Sequence, residues 1–454
     1  MTQPDLKSFL NWAKERHIDV IELRFTDIAG YWRQITVSPA QLEETQRRGG
    51  PPVNGLLIPG WNLPSSGGIL RIFPDYSTAF IDFLVNHKAV LICNIIDSYS
   101  GLVYNRDPRG LLQRAVKSIK KQQAIDSIYV KLRVNFYLLN KALDNLSQPK
   151  AESFMETEEL SYNYGPTGVI ERGLHDRYYY MAAPIDTGEQ VRTAIKRSLA
   201  SMNVQIAEHH HGIGSNLHEM VLEPMPILAA ADALQILKYT TKIIAAQHGK
   251  VATFMPHPMT GCTTNAIPVN FGLYEQKKPL FTMDKSGNWS RIARHFLGGI
   301  LRHVGMLQSF VMPSVNSYKR FPFPVGGYGE DPLASASLDV TYPELGVKFL
   351  LADGAMNPYL GLAALILAGI DGITHHCDPG PPLTHTSSLK HAYGIVATTL
   401  SQTLKYVNDD WQFLTRYNVF SHDFFNAYTK LKLQDQQSYH QTVHPWEIQQ
   451  YFTV

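Results

Sequence analysis

The sequence predicts an α+β protein of two or three domains, and three observations support this prediction. The chain has 454 residues, of which 44% are hydrophobic, so it is long enough to bury a sizeable core. The first hundred residues consist mainly of short runs that alternate apolar and polar side chains, as strands do. The rest of the chain combines further strand-like runs with long segments of helical periodicity.

Strands and turns dominate the predicted N-terminal part. Alternating residues on both sides of a turn at 27–30 predict a hairpin. Helical periodicity begins shortly after Asp107, so we place a domain boundary there, between residues 1–106 and 107–454. The predicted elements before this boundary are a helix at 6–16, the hairpin over 18–37, a Gly/Pro-rich loop over 47–68, and strands at 69–73 and 89–95.

The second part is predicted to mix strands with long helices and to end in a helical C-terminal third. It contains no internal repeat and no low-complexity segment, which argues against a solenoid or a linker. The predicted helices lie at 111–122, 229–248, 289–306 and 360–369, and the predicted strands at 128–139, 204–208 and 348–352.

Composition excludes several classes of protein. Lys and Arg number 41 against 39 Asp and Glu, so the chain lacks the basic excess that is typical of nucleic-acid-binding proteins. Cys93, Cys262 and Cys377 form no CxxC pair and no disulfide framework, and we expect them to be small buried residues in a reducing compartment. The longest apolar stretch, 360–370, is shorter than the ~20 residues that cross a bilayer, and the first residues lack a signal-peptide pattern. We therefore expect a cytoplasmic protein without membrane contact.

Nine segments, taken in order, resemble bacterial homo-oligomeric glutamine synthetases. They are ELRFTDIAGYWRQITV, FPDYSTAFID, YNRDPR, YYYMAAPIDTGEQVR, EHHHGIGSNLHEM, GKVATFMPHPM, NSYKR, MNPYLGLAALILAGIDGI and HPWEIQQYFTV. The resemblance covers essentially the whole chain. It implies an N-terminal β-grasp domain (1–106) and a catalytic-fold domain (107–454) with a curved antiparallel sheet. It also implies a ring-based homo-oligomer, a hexamer or dodecamer, in which one subunit's N-terminal domain closes the next subunit's site.

The sequence departs from the metal ligands that the resemblance implies. The family holds two divalent cations with five Glu and one His, because hard cations prefer oxygen ligands. Of these ligands only Glu219 remains. The other positions carry Arg133, Asn135, Gly212, Pro268 and Lys348. Two negative charges have thereby become positive, and at ~4 Å each is worth several kcal/mol against a dication. We predict that Mg²⁺ or Mn²⁺ does not bind.

The positions that the family uses for ammonium binding, phosphate contact and regulation by adenylylation are also altered. Asn54 replaces the Asp that binds and deprotonates ammonium, and an amide can do neither. The remaining departures are Leu57 for a Ser of the same loop, Asn270 for a His at a phosphate contact, Leu350 for an Arg, and Ala334 and Asp339 at an Arg pair. Glu330 is a candidate replacement for the catalytic Glu of the flap, and PLTHTSSLKHAY (382–393) lacks the adenylylation tyrosine.

Several cations and polar residues of the implied site persist or are new. Asn316, Ser317 and Arg320 belong to the retained NSYKR segment, where the resemblance implies a phosphate or substrate contact. Together with Arg133 and Lys348 they form a candidate substrate- or anion-binding set. The alternative is that the three cations pair with Asp339, Glu219 or Asp353 and fill the site. His209, His210 and His211 cannot all ligate one ion, because adjacent strand residues point to opposite faces.

The leading hypothesis is a glutamine synthetase homologue without catalysis, a pseudoenzyme with a structural or regulatory role in an oligomer. We expect no cofactor, and its partners to be other copies of itself and possibly a true glutamine synthetase, with no nucleic acid. One alternative is an ATP-dependent glutamate–ammonia or glutamate–amine ligase with an altered site, which would require ATP and Mg²⁺ or Mn²⁺. Another is an anion-binding protein.

Overall fold

A computed structural model describes residues 5–61, 69–145, 152–156, 178–259, 261–320, 325–329, 334–383 and 396–451. In these parts the chain forms a five-stranded sheet, a ten-stranded sheet and a separate two-stranded hairpin, surrounded by helices. One continuous hydrophobic core extends from Phe9 to Leu431 and includes residues of both large sheets. The α+β class predicted from the sequence is therefore present.

The N-terminal sheet has the strand order β2-β1-β5-β4-β3. The strands β1 and β5 are parallel, and the other neighbours are antiparallel. The hairpin predicted around residues 27–30 is the β1–β2 pair, in which Thr26 lies opposite Trp32. The strands are β1 (Val20–Thr26), β2 (Trp32–Val37), β3 (Pro52–Asn54), β4 (Ile69–Ile81) and β5 (Lys88–Asp97).

The ten-stranded sheet is built around β6 (Ser127–Leu139). This strand pairs antiparallel with β10 on one side and β13 on the other, and its ends also pair with β11 and β12. All pairs are antiparallel except β15–β16. The other strands are β9 (Ile206–His211), β10 (Leu217–Leu222), β11 (Met225–Pro226), β12 (Val251–Thr253), β13 (Val269–Glu275), β14 (Lys278–Pro279), β15 (Val325–Tyr328), β16 (Ala334–Leu338) and β17 (Val347–Phe349). The hairpin consists of β7 (Lys141–Asn145) and β8 (Glu152–Glu156).

Helices cover the sheets and make up the C-terminal third. The helix Pro358–Thr374 is buried on nearly all sides, as its uniformly apolar sequence predicts, and the Asn357 side chain caps its first turn. Within the described residues, no helix is both long enough and apolar enough to cross a membrane. The α-helices are Leu6–Glu15, Pro39–Gln46, Pro108–Gln122, Glu189–Ser201, Ile227–Gln247, Arg291–Arg302, Val304–Val311, Pro358–Thr374, Leu400–Asp410, Gln412–Thr415, His422–Gln441 and Pro445–Tyr451.

Several predicted elements have different bounds in the structure, and three of them differ most instructively. The helix predicted at 289–306 is two helices, because the chain breaks at His303. The strand predicted at 204–208 begins at Ile206 and continues to His211, and only Val347–Phe349 of the segment around 348–352 is a strand.

Buried polar contacts fix the N-terminal sheet against the rest of the chain. Arg109 follows the helix cap Asp107, and its guanidinium contacts Asp75 of β4 and Asp232 of the helix Ile227–Gln247, each at 2.9 Å. Burying a guanidinium costs free energy unless it is paired with an anion. One carboxylate comes from the N-terminal sheet and the other from a helix, so Arg109 fixes the position of the sheet against that helix; we call this contact the Arg109 joint. Cys93 is buried and Cys262 and Cys377 are partly buried, and none forms a disulfide.

Candidate functional site

One face of the ten-stranded sheet carries most residues that the resemblance assigns to the metal and phosphate sites. Residues opposite each other in paired strands point to the same face, and so do alternate residues along a strand. Asn135 of β6 lies opposite Glu219 of β10, which lies opposite His210 of β9. Arg133 precedes Asn135 by two positions and therefore shares this face. These four side chains form the first row of the candidate site.

A second row crosses the same face on the other side of β6. Lys131 lies opposite Asn270 of β13, and Asn270 lies opposite Lys348 of β17. Lys131 and Arg133 are alternate residues of β6, so both rows point in the same direction. The structure thus places Arg133 and Lys348 on the face that also carries Glu219.

The guanidinium of Arg133 is paired with Glu219. The distance from Nη1 of Arg133 to Oε1 of Glu219 is 2.6 Å, and His210 Nε2 lies 3.0 Å from the same oxygen. A weaker contact joins Arg133 to Glu208 at 3.7 Å. Burial alone would lower the pKa of Arg133, but Glu219, Tyr179 and Glu208 together outweigh burial and raise it. The one retained carboxylate of the implied ligand set therefore already has a cation and an imidazole against one oxygen.

Lys348 lies among other cations. Burial lowers its pKa, and the positive charges of Arg133 and Lys131 lower it further, against the opposing influence of Asp339 and Glu219. In the part of the chain that the structure describes, Lys348 has no carboxylate within 4 Å. Its ammonium is thus partly desolvated without a direct ion pair, a state that costs free energy unless an anion approaches.

Two altered positions near Lys348, Asn270 and Leu350, are neutral where the resemblance implies a His and an Arg. Asn270 is buried, and its Nδ2 donates to Asp339 Oδ2 at 3.2 Å and to the Leu345 carbonyl at 3.1 Å. Leu350 lies after β17, where its N–H donates to the Ser335 carbonyl. Asn270 and Asp339 therefore bond to each other rather than extend toward a ligand.

Three further altered positions, 135, 212 and 268, have different surroundings. Asn135 has a buried Oδ1 without a hydrogen-bond partner among the described residues. At Gly212 a Cβ atom would lie 2.9 Å from both Cγ and the carbonyl oxygen of Leu217, which is closer than side chains pack. Pro268 adjoins β13, and its carbonyl accepts from the Arg133 N–H at 3.1 Å. A side chain therefore does not fit at position 212 without a shift of the chain.

Arg320 is engaged with a different group from Arg133 and Lys348. Its Nη1 donates to the Leu351 carbonyl at 2.7 Å and lies 3.4 Å from Asp353 Oδ2, and both side chains are almost fully buried. Burial lowers the pKa of Arg320 and raises the pKa of Asp353. The structure brings Arg133 and Lys348 onto one face, whereas Arg320 forms a buried pair with Asp353.

Asn316 and Ser317 form structural hydrogen bonds in the short 3₁₀ helix Val315–Lys319. Asn316 accepts from the His257 N–H at 2.7 Å and donates to the His257 carbonyl at 2.9 Å. Ser317 and Ser314 cap the turn reciprocally, with their hydroxyls 2.8 Å apart. Both side chains thereby hold the loop that carries Arg320.

Asn54 ends β3 of the N-terminal sheet, and Leu57 lies in the 3₁₀ turn that follows. The side chain of Asn54 accepts from the Leu56 N–H at 3.0 Å and so caps a single 3₁₀ turn. Leu57 is 79% exposed and Leu56 is 46% exposed. The resemblance implies that this position forms an ammonium-binding loop for a neighbouring subunit. Here the chain has an exposed apolar turn instead.

A buried cluster on the opposite face was not predicted from the sequence. Asp186, His211 and His218 offer three potential ligand atoms within 4.8 Å of one another. Arg192 fills this site, since its Nη1 lies 2.8 Å from both Asp186 Oδ1 and His218 Nδ1. Burial, together with Arg192, lowers the pKa of His218 well below its usual value. The cluster therefore contains its own cation. No local periodicity connects Asp186 to Arg192, so only the tertiary structure reveals it.

The three consecutive histidines point in alternating directions, as the strand pattern predicts. His210 faces Glu219 and packs against Tyr179 and Tyr180, with ring centroids 5.2 Å and 4.3 Å away. His211 lies on the other face, stacked on Tyr178. The expectations for Glu330 and for residues 384–393 lie outside the described residues. Ala334 is buried at the start of β16.

The fold and this face together define a glutamine-synthetase-type α+β protein, and comparisons with known proteins agree. The family model "Glutamine synthetase, catalytic domain" matches residues 105–451. The glutamine synthetase of Bradyrhizobium diazoefficiens is 30% identical, over 98% of this chain and 99% of the relative. The 3-hydroxylaminophenol mutase of Cupriavidus pinatubonensis is 29% identical, over 97% and 98%. The chain belongs to the glutamine synthetase family.

The likeness extends to solved structures. The cryo-EM structure of Plasmodium falciparum glutamine synthetase superposes with a TM-score of 0.86 at 21% identity, covering 99% of both chains. This likeness supports the fold over the full length, including the N-terminal sheet.

Proposed function

We propose that this protein is a non-catalytic member of the glutamine synthetase family with a structural or regulatory role in a homo-oligomer. The observation that carries the proposal is the 2.6 Å pair between Arg133 and Glu219, on the face where the resemblance implies two divalent cations. A guanidinium in that position supplies the positive charge that a metal ion would otherwise supply.

The donor set on this face does not fit a pair of divalent cations. Mg²⁺ and Mn²⁺ need several oxygen ligands, mostly carboxylates. Glu219 bonds to Arg133, and Asp339 accepts from Asn270 and from the Thr341 N–H. Each positive charge about 4 Å from a dication costs several kcal/mol even at an effective dielectric constant near 20. Without these ions no metal bridges and orients the phosphates of ATP for phosphoryl transfer.

An intact scaffold supports a role in an assembly. The buried helix Pro358–Thr374 and the Arg109 joint are well packed, so the altered face is not accompanied by a degraded core. The C-terminal helix Pro445–Tyr451 presents Trp446, which is 59% exposed, and Tyr451, which is 58% exposed. Large exposed apolar residues on a terminal helix are typical of a surface that another subunit covers.

A ligase assay tests the proposal. The purified protein is incubated with glutamate, ATP, ammonium and Mg²⁺ or Mn²⁺, and phosphate release is followed against a true glutamine synthetase at equal concentration. We expect release no faster than in a blank without protein. Turnover above that blank would contradict the proposal and favour a ligase with an altered site; methylamine in place of ammonium extends the test to glutamate–amine ligases.

A reversion variant separates loss of ligands from loss of fold. Arg133→Glu, Asn135→Glu and Lys348→Glu together return three carboxylates to one face, and Gly212 is left unchanged because it has no room for a side chain. We expect this variant to bind Mn²⁺ where the natural chain does not. The matched control is Lys120→Glu, Lys121→Glu and Lys117→Glu, which changes three cations on a helix outside the sheet. Equal Mn²⁺ binding by both triple variants would contradict the assignment.

A second candidate function, anion binding at the same face, is favoured by Lys348. Its ammonium lies near Arg133 and Lys131 and has no direct carboxylate partner among the described residues. Phosphate titration monitored by calorimetry tests it. Binding that Lys348→Met abolishes supports this function, and binding that is absent or insensitive to the substitution argues that the cations merely fill the site.

A further inference from the structure

A groove of about 840 Å³ lies between the start of the second domain and the C-terminal helices. Three segments line it: the loop at 102–105, the helix Pro108–Gln122 and the stretch from Trp411 to His422. None of these residues belongs to the sheet face described above. The groove therefore has no part in the metal and phosphate positions that the family resemblance implies.

The lining is basic and contains no acid. Arg114 and Lys117 are three positions apart on one helix, so they project from the same side. His422 closes the opposite end, with its ring edge-on to Trp411 at 5.3 Å. Among the residues that the structure describes, no Asp or Glu lines the groove. The local charge is thus uncompensated.

Arg114 is the central group, because it is partly buried without a counter-ion. Its Nη2 donates to the carbonyls of Asn105 and Val419 at 3.3 Å and 3.4 Å, both near the upper limit for a hydrogen bond. Burial lowers the pKa of Arg114, and only Asp107 acts in the other direction. In the described part of the chain Arg114 makes no ion pair with a carboxylate. A guanidinium has five N–H donors, and Arg114 uses them in only two long hydrogen bonds, so it can still donate to an oxyanion.

The acids nearest in sequence to the groove are committed elsewhere. Asp423 follows His422, but its oxygens accept from Arg106 at 2.9 Å and from Asn105 at 3.0 Å. Asp107 lies at the helix cap, where it accepts from the Asn94 side chain and from the first turn of the helix. The bonds of Asp107 fall on Oδ2, and its buried Oδ1 has no hydrogen-bond partner among the described residues. Neither Asp107 nor Asp423 forms an ion pair with Arg114.

The other wall of the groove is apolar. Val419 and Phe420 are almost fully buried, Trp411 is partly buried, and Val103 is 37% exposed at the rim. A guanidinium that faces aromatic and aliphatic side chains can bind a molecule with a carboxylate at one end and an apolar group at the other. We propose that this groove binds a small organic carboxylate, which bonds to Arg114 and packs its apolar part against Trp411.

Binding of 3-phenylpropanoate and of inorganic phosphate, measured by calorimetry on the full chain, tests the proposal. We expect saturable binding of 3-phenylpropanoate, at least tenfold tighter than phosphate, and quenching of Trp411 fluorescence. Arg114→Gln should weaken binding at least tenfold. Trp411→Phe should remove the fluorescence change.

Two variants keep the test independent of folding. Lys117 is exposed, so Lys117→Glu should leave the thermal unfolding temperature unchanged and still weaken binding several-fold. Lys120→Glu, the matched control on the same helix but outside the groove, should bind like the natural chain. The proposal is overturned if the natural chain shows no saturable binding, if both lysine variants bind alike, or if phosphate binds as tightly as the carboxylate.

Discussion

Arg133 combines a charge that repels cations with a contact that stabilises the sheet. The Glu219 side chain is only 8% exposed, so its carboxylate depends on Arg133 for compensation. Removing one member of a buried pair leaves an uncompensated charge, which costs more than the pair contributes.

We therefore predict that Arg133→Met destabilises the chain by about 2 kcal/mol, a value reduced from the fully buried case because Arg133 is partly exposed. Adding Glu219→Gln should restore most of the loss, because the unpaired charge is gone. Urea unfolding of the single and double variants measures this coupling. Lys131→Met on the same strand serves as control, and strictly additive effects of the two substitutions would contradict the account.

Lys238 supplies a pH-dependent test at a second residue. Its Nζ donates to the carbonyls of Gly354 and Met356, and burial lowers its pKa to about 8. Between pH 8 and the usual lysine value near 10.5, the unfolded chain binds more protons than the folded one, so this residue makes stability rise with pH.

We expect a gain of about 2 kcal/mol between pH 8 and pH 10 from this group. Urea unfolding at pH 8 and pH 10 of the natural chain and of Lys238→Met measures it as a difference. Lys242→Gln, an exposed neighbour on the same helix, should retain the rise. A natural chain and a Lys238→Met variant with parallel pH profiles would refute the assignment.

At the residue scale, the sequence analysis left open whether the cations bind an anion or pair with Asp339, Glu219 or Asp353. In the structure Arg133 pairs with Glu219 and Arg320 pairs with Asp353, as the second alternative states. The cluster of Asp186, His211 and His218 around Arg192 was not predicted. Its contacts depend on which strands and helices pack together, and no local pattern encodes that.

At the scale of elements, the break between the helices Arg291–Arg302 and Val304–Val311 has a tertiary cause. The imidazole of His303 lies 3.1 Å from Asp371 and 2.7 Å from Asp410, and it stacks on Phe413 at 3.9 Å. Helical periodicity continues through His303, so the sequence predicts one helix. The carboxylates come from two other helices, and the sequence cannot show that they meet here.

His303 should make the joint between these helices sensitive to pH. Burial alone would lower its pKa, but Asp371 and Asp410 raise it above the usual value. Its contribution is fully present below the ordinary pKa of about 6.5 and is lost as pH rises through the folded-state value. We predict that His303→Gln costs about 2 kcal/mol at pH 6 and that its deficit shrinks toward pH 9. Urea unfolding at the two pH values measures this; a deficit independent of pH would argue for a purely steric role.

At the scale of the whole molecule, the exposed C-terminal helix should mediate assembly. Trp446→Ser with Ile448→Ser removes apolar surface that is 59% and 47% exposed. Because such surface is stabilised by burial against another subunit, we expect native mass spectrometry to show smaller assemblies than for the natural chain. Gln450→Ala in the same helix is the control. An unchanged assembly in the double variant would place the interface elsewhere.

The overall fold was the most predictable property, because many ordered segments resemble one family and each specifies a local element. Periodicity could not predict the order of the ten-stranded sheet, because β6 pairs with β10 and β13, which are both distant from it in the sequence. The N-terminal order β2-β1-β5-β4-β3 likewise depends on a parallel β1–β5 contact between distant segments. The strand order of both sheets was therefore not predicted and is known from the structure alone.

The central claim is that the altered sheet face excludes divalent cations, and calorimetric titration of the purified protein with Mn²⁺ tests it most directly. We expect no tight Mn²⁺ site on the natural chain and a measurable Mn²⁺ site on the variant that combines Arg133→Glu, Asn135→Glu and Lys348→Glu. Two tight Mn²⁺ sites per subunit of the natural chain would contradict the account and make a working ligase the better description.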